Sequence, residues 1–156
     1  MEYALSENIT SAKLKATDYG AGSELSRAEV FDMMYNFGLS EDFAKEISID
    51  TNALEKFADS SKIQSENRNS IVWLVTNGIL NGQLNGDKYY ISPSASITRA
   101  EVATIMQSLN EFTSKYESRT NLHFSGSWLN AFVVRNARIM TIIFLYILLL
   151  LRPSAG

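Results

Sequence analysis

Apolar residues recur at helical spacing in two stretches of this chain, and the stretches share their flanks. Val30, Met33, Met34 and Phe37 fall at i, i+3, i+4 and i+7, and Val102, Ile105, Met106 and Leu109 repeat the spacing. Each set predicts a helix with one buried face. Ahead of the stripes stand Ser26-Arg27-Ala28-Glu29 and Thr98-Arg99-Ala100-Glu101. A hydroxyl three positions before a glutamate is a capping box: the hydroxyl accepts from a free N–H of the first turn while the glutamate reaches back. Leu25 with Val30, and Ile97 with Val102, have the spacing of a hydrophobic staple. Two helix starts are therefore specified locally. Capping does not account for Arg27 and Arg99, both at the first helical position, where a cation opposes the helix dipole. Those arginines call for an anionic partner.

The similarity continues upstream, where Tyr3-Ala4-Leu5-Ser6-Glu7-Asn8-Ile9 lies over Trp73-Leu74-Val75-Thr76-Asn77-Gly78-Ile79. Such duplication implies a repeated structural unit. Ile71, Leu74 and Val75 form a further helical stripe, and Gly78 follows where a left-handed residue would stop the helix. Gly82, Gly86 and Pro93 then mark a loop, so the unit reads as helix, glycine stop, irregular loop, capped helix. In the loop, Asn85, Gly86, Asp87, Tyr89 and Tyr90 read as a solvated turn whose amides and rings also suit a sugar. Trp73, aligned with Tyr3, reads as a packing position. Between the copies, residues 39–56 read as a connector with a short helix capped by Thr51. Its acids Glu41, Asp42 and Glu46 read as a solvated surface and not as a catalytic group.

The second copy resembles an S-layer homology (SLH) motif, from Phe57-Ala58-Asp59 through Gly78-Ile79-Leu80-Asn81-Gly82 and Pro93 to Ile97-Thr98-Arg99-Ala100-Glu101. The first copy resembles the latter two-thirds of one. The resemblance implies a mainly α fold, with SLH-like helix-loop-helix repeats forming a partial helical bundle. With the composition of the rest of the chain, it divides the sequence into an incomplete SLH-like repeat at 1–38, the connector at 39–56, a complete SLH-like repeat at 57–112, and, outside the resemblance, a linker at 113–127 and a hydrophobic C-terminal helix at 128–152. It also implies noncovalent anchoring of a bacterial surface protein to a secondary cell-wall polysaccharide, often one bearing pyruvate ketals, gripped in grooves between adjacent motifs. By position, Arg99 and Arg27 are the candidates to hold the ligand's acidic group, with Asp59, Gly78 and Gly82 shaping the groove. Family members commonly pack three motifs around a shared core, so one and a half copies imply a missing third repeat or an oligomer. Met1 to Glu7 carries neither the basic start nor the apolar core of a signal peptide, and for an exported protein the expectation is that residues precede Met1.

Charge narrows the alternatives. The net charge is −3, and all 17 acidic residues precede Ser118. An acidic body argues against nucleic acid, where a basic face supplies most of the affinity. Cysteine is absent and His123 is the single histidine, which removes thiol catalysis, zinc sites of the usual kind and, without a Gly-x-Ser-x-Gly elbow, a serine triad. Neither a reaction nor a cofactor is expected.

The tail is apolar on every side from Ile139 to Leu151 and closes on Arg152-Pro153. At 1.5 Å per residue that run reaches about 20 Å, short of the roughly 30 Å hydrocarbon core. Extension upstream from Trp128 supplies the length but sets Arg135 and Arg138 at depth. A membrane-inserted or interfacial tail and a helix buried against a partner both fit. The second reading of the chain is accordingly a helical interaction or membrane-tethered protein with a degenerate repeat.

Overall fold

A computed structural model of the chain describes residues 25–41, 44 and 50–120. The upstream half of the first copy, Asp42, Glu46, His123 and the apolar run at 128–152 lie outside these residues. Among the described residues no helix is long and apolar enough to cross a membrane.

The described part is mainly helical: α1 (Arg27–Ser40), α2 (Ser65–Thr76) and α3 (Arg99–Thr120), with a hairpin of β1 (Gln83–Asn85) and β2 (Lys88–Tyr90) between α2 and α3. Both stripes point inward. Val30, Met33, Met34 and Phe37 are 0 to 2% exposed and Val102, Ile105, Met106 and Leu109 are 7% or less. α1 packs on α2, and the three helices meet at Trp73. Its fully buried ring lies 5.7 Å from that of Tyr35 on α1 and 5.6 Å, edge-on, from that of Phe112 on α3. The tryptophan is a packing residue, and edge-to-face pairs of this kind add roughly 1 kcal/mol beyond area burial.

Both capping boxes form. Glu29 N–H donates to Ser26 Oγ at 3.2 Å and Ser26 N–H to Glu29 Oε2 at 2.8 Å; Glu101 N–H donates to Thr98 Oγ1 at 3.3 Å and Thr98 N–H to Glu101 Oε2 at 2.8 Å. α2 ends as its glycine requires. Gly78 has φ +69°, its N–H donates to Val75 O, and Ile79 N–H donates to Leu74 O at 2.9 Å. That is a Schellman closure, with buried Ile79 and Leu74 as its apolar pair.

Four details differ from the sequence reading. The connector's short helix is a 3₁₀ turn, Thr51–Leu54, whose cap is Asp50 and not Thr51: Asp50 Oδ1 accepts from Asn52 N–H at 3.0 Å. Glu41 is not solvated. It is the C-cap of α1, 4% exposed, at a turn closed by Ala44 N–H donating to Gly38 O. The expected irregular loop contains the hairpin, pairing Gln83 with Tyr90, Leu84 with Tyr89 and Asn85 with Lys88. Its two-residue turn has Gly86 first, at φ +64°, the position where a type II′ hairpin demands glycine. Finally, α3 continues to Thr120, past residue 112, where the sequence pattern puts the start of a linker.

Candidate functional site

The start of α1 does not face solvent. Arg27 and Ala28 N–H donate to the carbonyls of Ala95 and Pro93, both at 2.9 Å, and Ile97 N–H donates back to Leu25 O at 3.0 Å. Helix-start donors that water would ordinarily satisfy are thus taken by the segment leading into α3, and the two capped helix starts lie side by side. This arrangement fixes where Arg27 goes. Its side chain is 4% exposed; Nε donates to Ile91 O at 2.8 Å and Nη1 to Glu101 Oε1 at 2.5 Å. The guanidinium carbon also stands 5.4 Å from the centroid of the Phe31 ring, within cation–π range. The anionic partner that the sequence demands for Arg27 is therefore the capping glutamate of the other copy.

Glu101 holds two roles with its two oxygens. Oε2 accepts from Thr98 N–H and Thr98 Oγ1, while Oε1 accepts from Arg27 and from Gln83 Nε2. Burial pushes its carboxyl upward, but the Thr98 bonds and then Arg27 outweigh it and hold it below the usual carboxylate range. Burial lowers the Arg27 value against the opposing pull of Glu101 and Asp59. Both partners shift downward for different reasons, and an arginine remains protonated throughout the working range.

Asp59 is buried at 4% exposure and accepts from Ile91 N–H at 2.9 Å and Ser92 N–H at 2.8 Å. Ser92 has φ +52°, an uncommon conformation for a residue with a Cβ, and the carboxylate holds it there. A continuous chain of contacts runs from Asp59 through the 91–92 backbone to Arg27 and on to Glu101. Gly82 is required twice over. Its φ is +74°, and a Cβ would fall 2.5 Å from Phe57 Cε1 and 2.9 Å from Tyr90 O. That close approach seats the segment after α2 on Phe57 and the hairpin.

Together these elements enclose a groove of about 310 Å³ between the two copies. Arg27, Gly82 and Glu101 line it with Asn81, Gln83, Ala100, Thr104 and Ser108, over a floor of Ile79, Leu80 and Ile105. Of the residues expected at a site, Arg27 and Gly82 are therefore together; Asp59 braces Arg27 from behind through Ile91. Gly78 is the stop of α2 and does not line the groove, and a Cβ there would meet nothing within 4 Å. Arg99 is exposed at the start of α3, outside this groove. Sequence reasoning missed Glu101 as more than a cap, and it missed Asn81, Gln83, Thr104 and Ser108. The signal for the last two was their i, i+4 spacing one turn beyond the cap, on the side of α3 that the apolar stripe leaves polar. Among the described residues no acidic or histidine cluster suits a metal ion.

Comparison with models of known protein families, with curated proteins and with solved structures finds no match.

Proposed function

We propose that this chain is a noncovalent wall-anchoring module, holding a bacterial surface protein to a secondary cell-wall polysaccharide in the groove between its two SLH-like copies. One observation carries the reading: the arginine of the first copy, the Asn81-Gly82 turn of the second and the capping glutamate of the second line a single groove. Arg27 and Gly82 are among the residues that the resemblance implies for ligand binding, and they come from two copies 72 positions apart in the chain by the numbering of Arg27 and Arg99; Asn81 and Glu101 are added by the groove itself. Groove size is at the lower end of small-molecule sites, which suits a short saccharide segment. The role is binding alone, with no reaction and no cofactor.

Cosedimentation of the full chain with purified bacterial cell walls, before and after chemical extraction of the secondary polymer, tests this. Binding that disappears with the polymer is expected. Thr104→Trp, at an exposed position on the groove wall, puts an indole into the groove while leaving both residues of the Arg27–Glu101 pair unsubstituted, and is expected to weaken binding at least tenfold, a loss of about 1.4 kcal/mol. Equal binding by the folded variant would remove the groove from consideration.

A further inference from the structure

We infer that the saccharide unit seated in this groove is neutral and hydroxyl-rich, and that Glu101 excludes an acidic group from it. The inference rests on the anchoring reading and refines its ligand. An arginine attracts a carboxylate when its charge is uncompensated and its fork is accessible. Arg27 meets neither condition: its side chain is 4% exposed and its nearest counter-ion, Glu101, is 2.5 Å away in the same groove. An incoming carboxylate meets Glu101 before it meets the guanidinium, because the Glu101 side chain is 26% exposed and Arg27 lies beneath. Like charges a few ångströms apart in a half-buried site repel far more than they would in water.

The hydrogen-bonding inventory agrees. Thr104 Oγ1 donates to Ala100 O, Ser108 Oγ donates to Thr104 O, and Gln83 Nε2 donates to Glu101. Each of these side chains has a donor engaged within the protein and keeps acceptor lone pairs for the groove. A carboxylate is acceptor-only, whereas a hydroxyl donates as well as accepts: the Thr104 and Ser108 oxygens suit a group that donates and the second N–H of the Gln83 amide suits one that accepts, a mixture that hydroxyls satisfy and a carboxylate does not. Asn81 adds an amide at the rim, and Ile79, Leu80 and Ile105 beneath it suit the C–H face of a sugar ring. The depressed carboxyl of Glu101 keeps its charge in place through mildly acidic pH.

The test measures binding of the full chain to purified wall polysaccharide in two forms: native, and with its carboxylates chemically reduced to alcohols. Equal affinity within about twofold is expected, as is little change in affinity for the native polymer when salt is raised severalfold to shorten the screening length. Glu101→Gln keeps a residue that a capping box accepts and removes the charge; it is expected to bind the native form several-fold more tightly than the reduced form. A loss of tenfold or more on carboxyl reduction in the native protein, or a steep salt dependence, would overturn the inference and leave the anchoring reading standing. Binding to neither polymer would overturn both. Should Glu101→Gln not fold, the comparison of polymers and the salt series with the native protein still decide.

Discussion

The two tetrapeptides Ser26-Arg27-Ala28-Glu29 and Thr98-Arg99-Ala100-Glu101 are nearly identical in sequence and form the same capping box, yet they occupy different environments. At the first, the backbone donors of Arg27 and Ala28 are taken by Ala95 and Pro93, and the arginine is 3% exposed. At the second, Arg99 and Ala100 are exposed, and it is the glutamate that turns to the neighbouring copy. The cap is a local device and repeats with the sequence. The arginine's role depends on what packs beside the helix start, and only the first copy has the segment before α3 against it. A second contrast makes the same point with the opposite sign of charge. Asp32, on the side of α1 facing α2, accepts from Asn67 Nδ2 and Ser70 Oγ. Burial raises its carboxyl value, the two hydrogen bonds oppose that, and the like charges of Glu66 and Glu29 add to it. Glu101 is buried too, but the Thr98 bonds and then the Arg27 guanidinium outweigh that burial, and it shifts down.

The sharpest way to break the comparison is to truncate each arginine. Arg27→Ala removes the partner of Glu101 and of the Ile91 carbonyl and is expected to cost about 3 kcal/mol, near the low end for a buried pair because Glu101 retains some access to water. Arg99→Ala is expected to cost under about 0.5 kcal/mol, as surface substitutions do. Urea midpoints at constant slope separate the two outcomes; equal losses would erase the distinction. Next in size is Gly82→Ala, expected to cost roughly 2 kcal/mol because it combines a positive φ with a Cβ driven into Phe57 and the Tyr90 carbonyl. Gly78→Ala shares the positive φ but meets no atom, so it should cost about 1 kcal/mol, the low end for a Cβ-bearing residue in the left-handed region, and thermal melts of the pair would show whether the close approach matters.

The caps should behave alike where the arginines do not. Ser26→Ala and Thr98→Ala are each expected to lose about 1 kcal/mol, and a large inequality would mean that tertiary packing supports one helix start enough to make its cap redundant. The smallest effect is the pH dependence. Because the folded-state value of Glu101 lies below its ordinary 4.5, its interactions contribute stability above that pH, and the contribution is lost as the pH falls through the folded value. The native protein should therefore lead Glu101→Gln in urea midpoint at neutral pH, with the gap closing in acid. Asp32, shifted up, works the other way: its burial costs stability when ionised, and the cost is relieved as the pH falls through its raised value. A gap that widened in acid would mean that Glu101 is not held charged by Arg27 and Thr98.

Much of the framework was legible because it is short-range. The capping boxes, the two apolar stripes and the Gly78 stop each involve residues within a turn or two of one another, so spacing alone identifies them. The hairpin was legible in principle from Gly86-Asp87 between Leu84 and the two tyrosines; the glycines and Pro93 nearby obscured it. Of the groove, the sequence pointed to Arg27 and Gly82 but ranked Arg99 beside them, since nothing within either tetrapeptide distinguishes the two arginines.

By itself, then, the sequence determined where α1 and α3 begin, where α2 ends, which faces of α1 and α3 are buried, and that the capped helix start occurs twice. The tertiary structure alone decided that Arg27 meets Glu101, that Asp59 reaches across 32 positions to hold Ile91, and that Glu41 is buried. The physical reason is range: a cap or a stripe is satisfied by neighbours a few residues away, whereas a buried charge must find its counter-ion and donors wherever packing brings them, and that depends on every element at once.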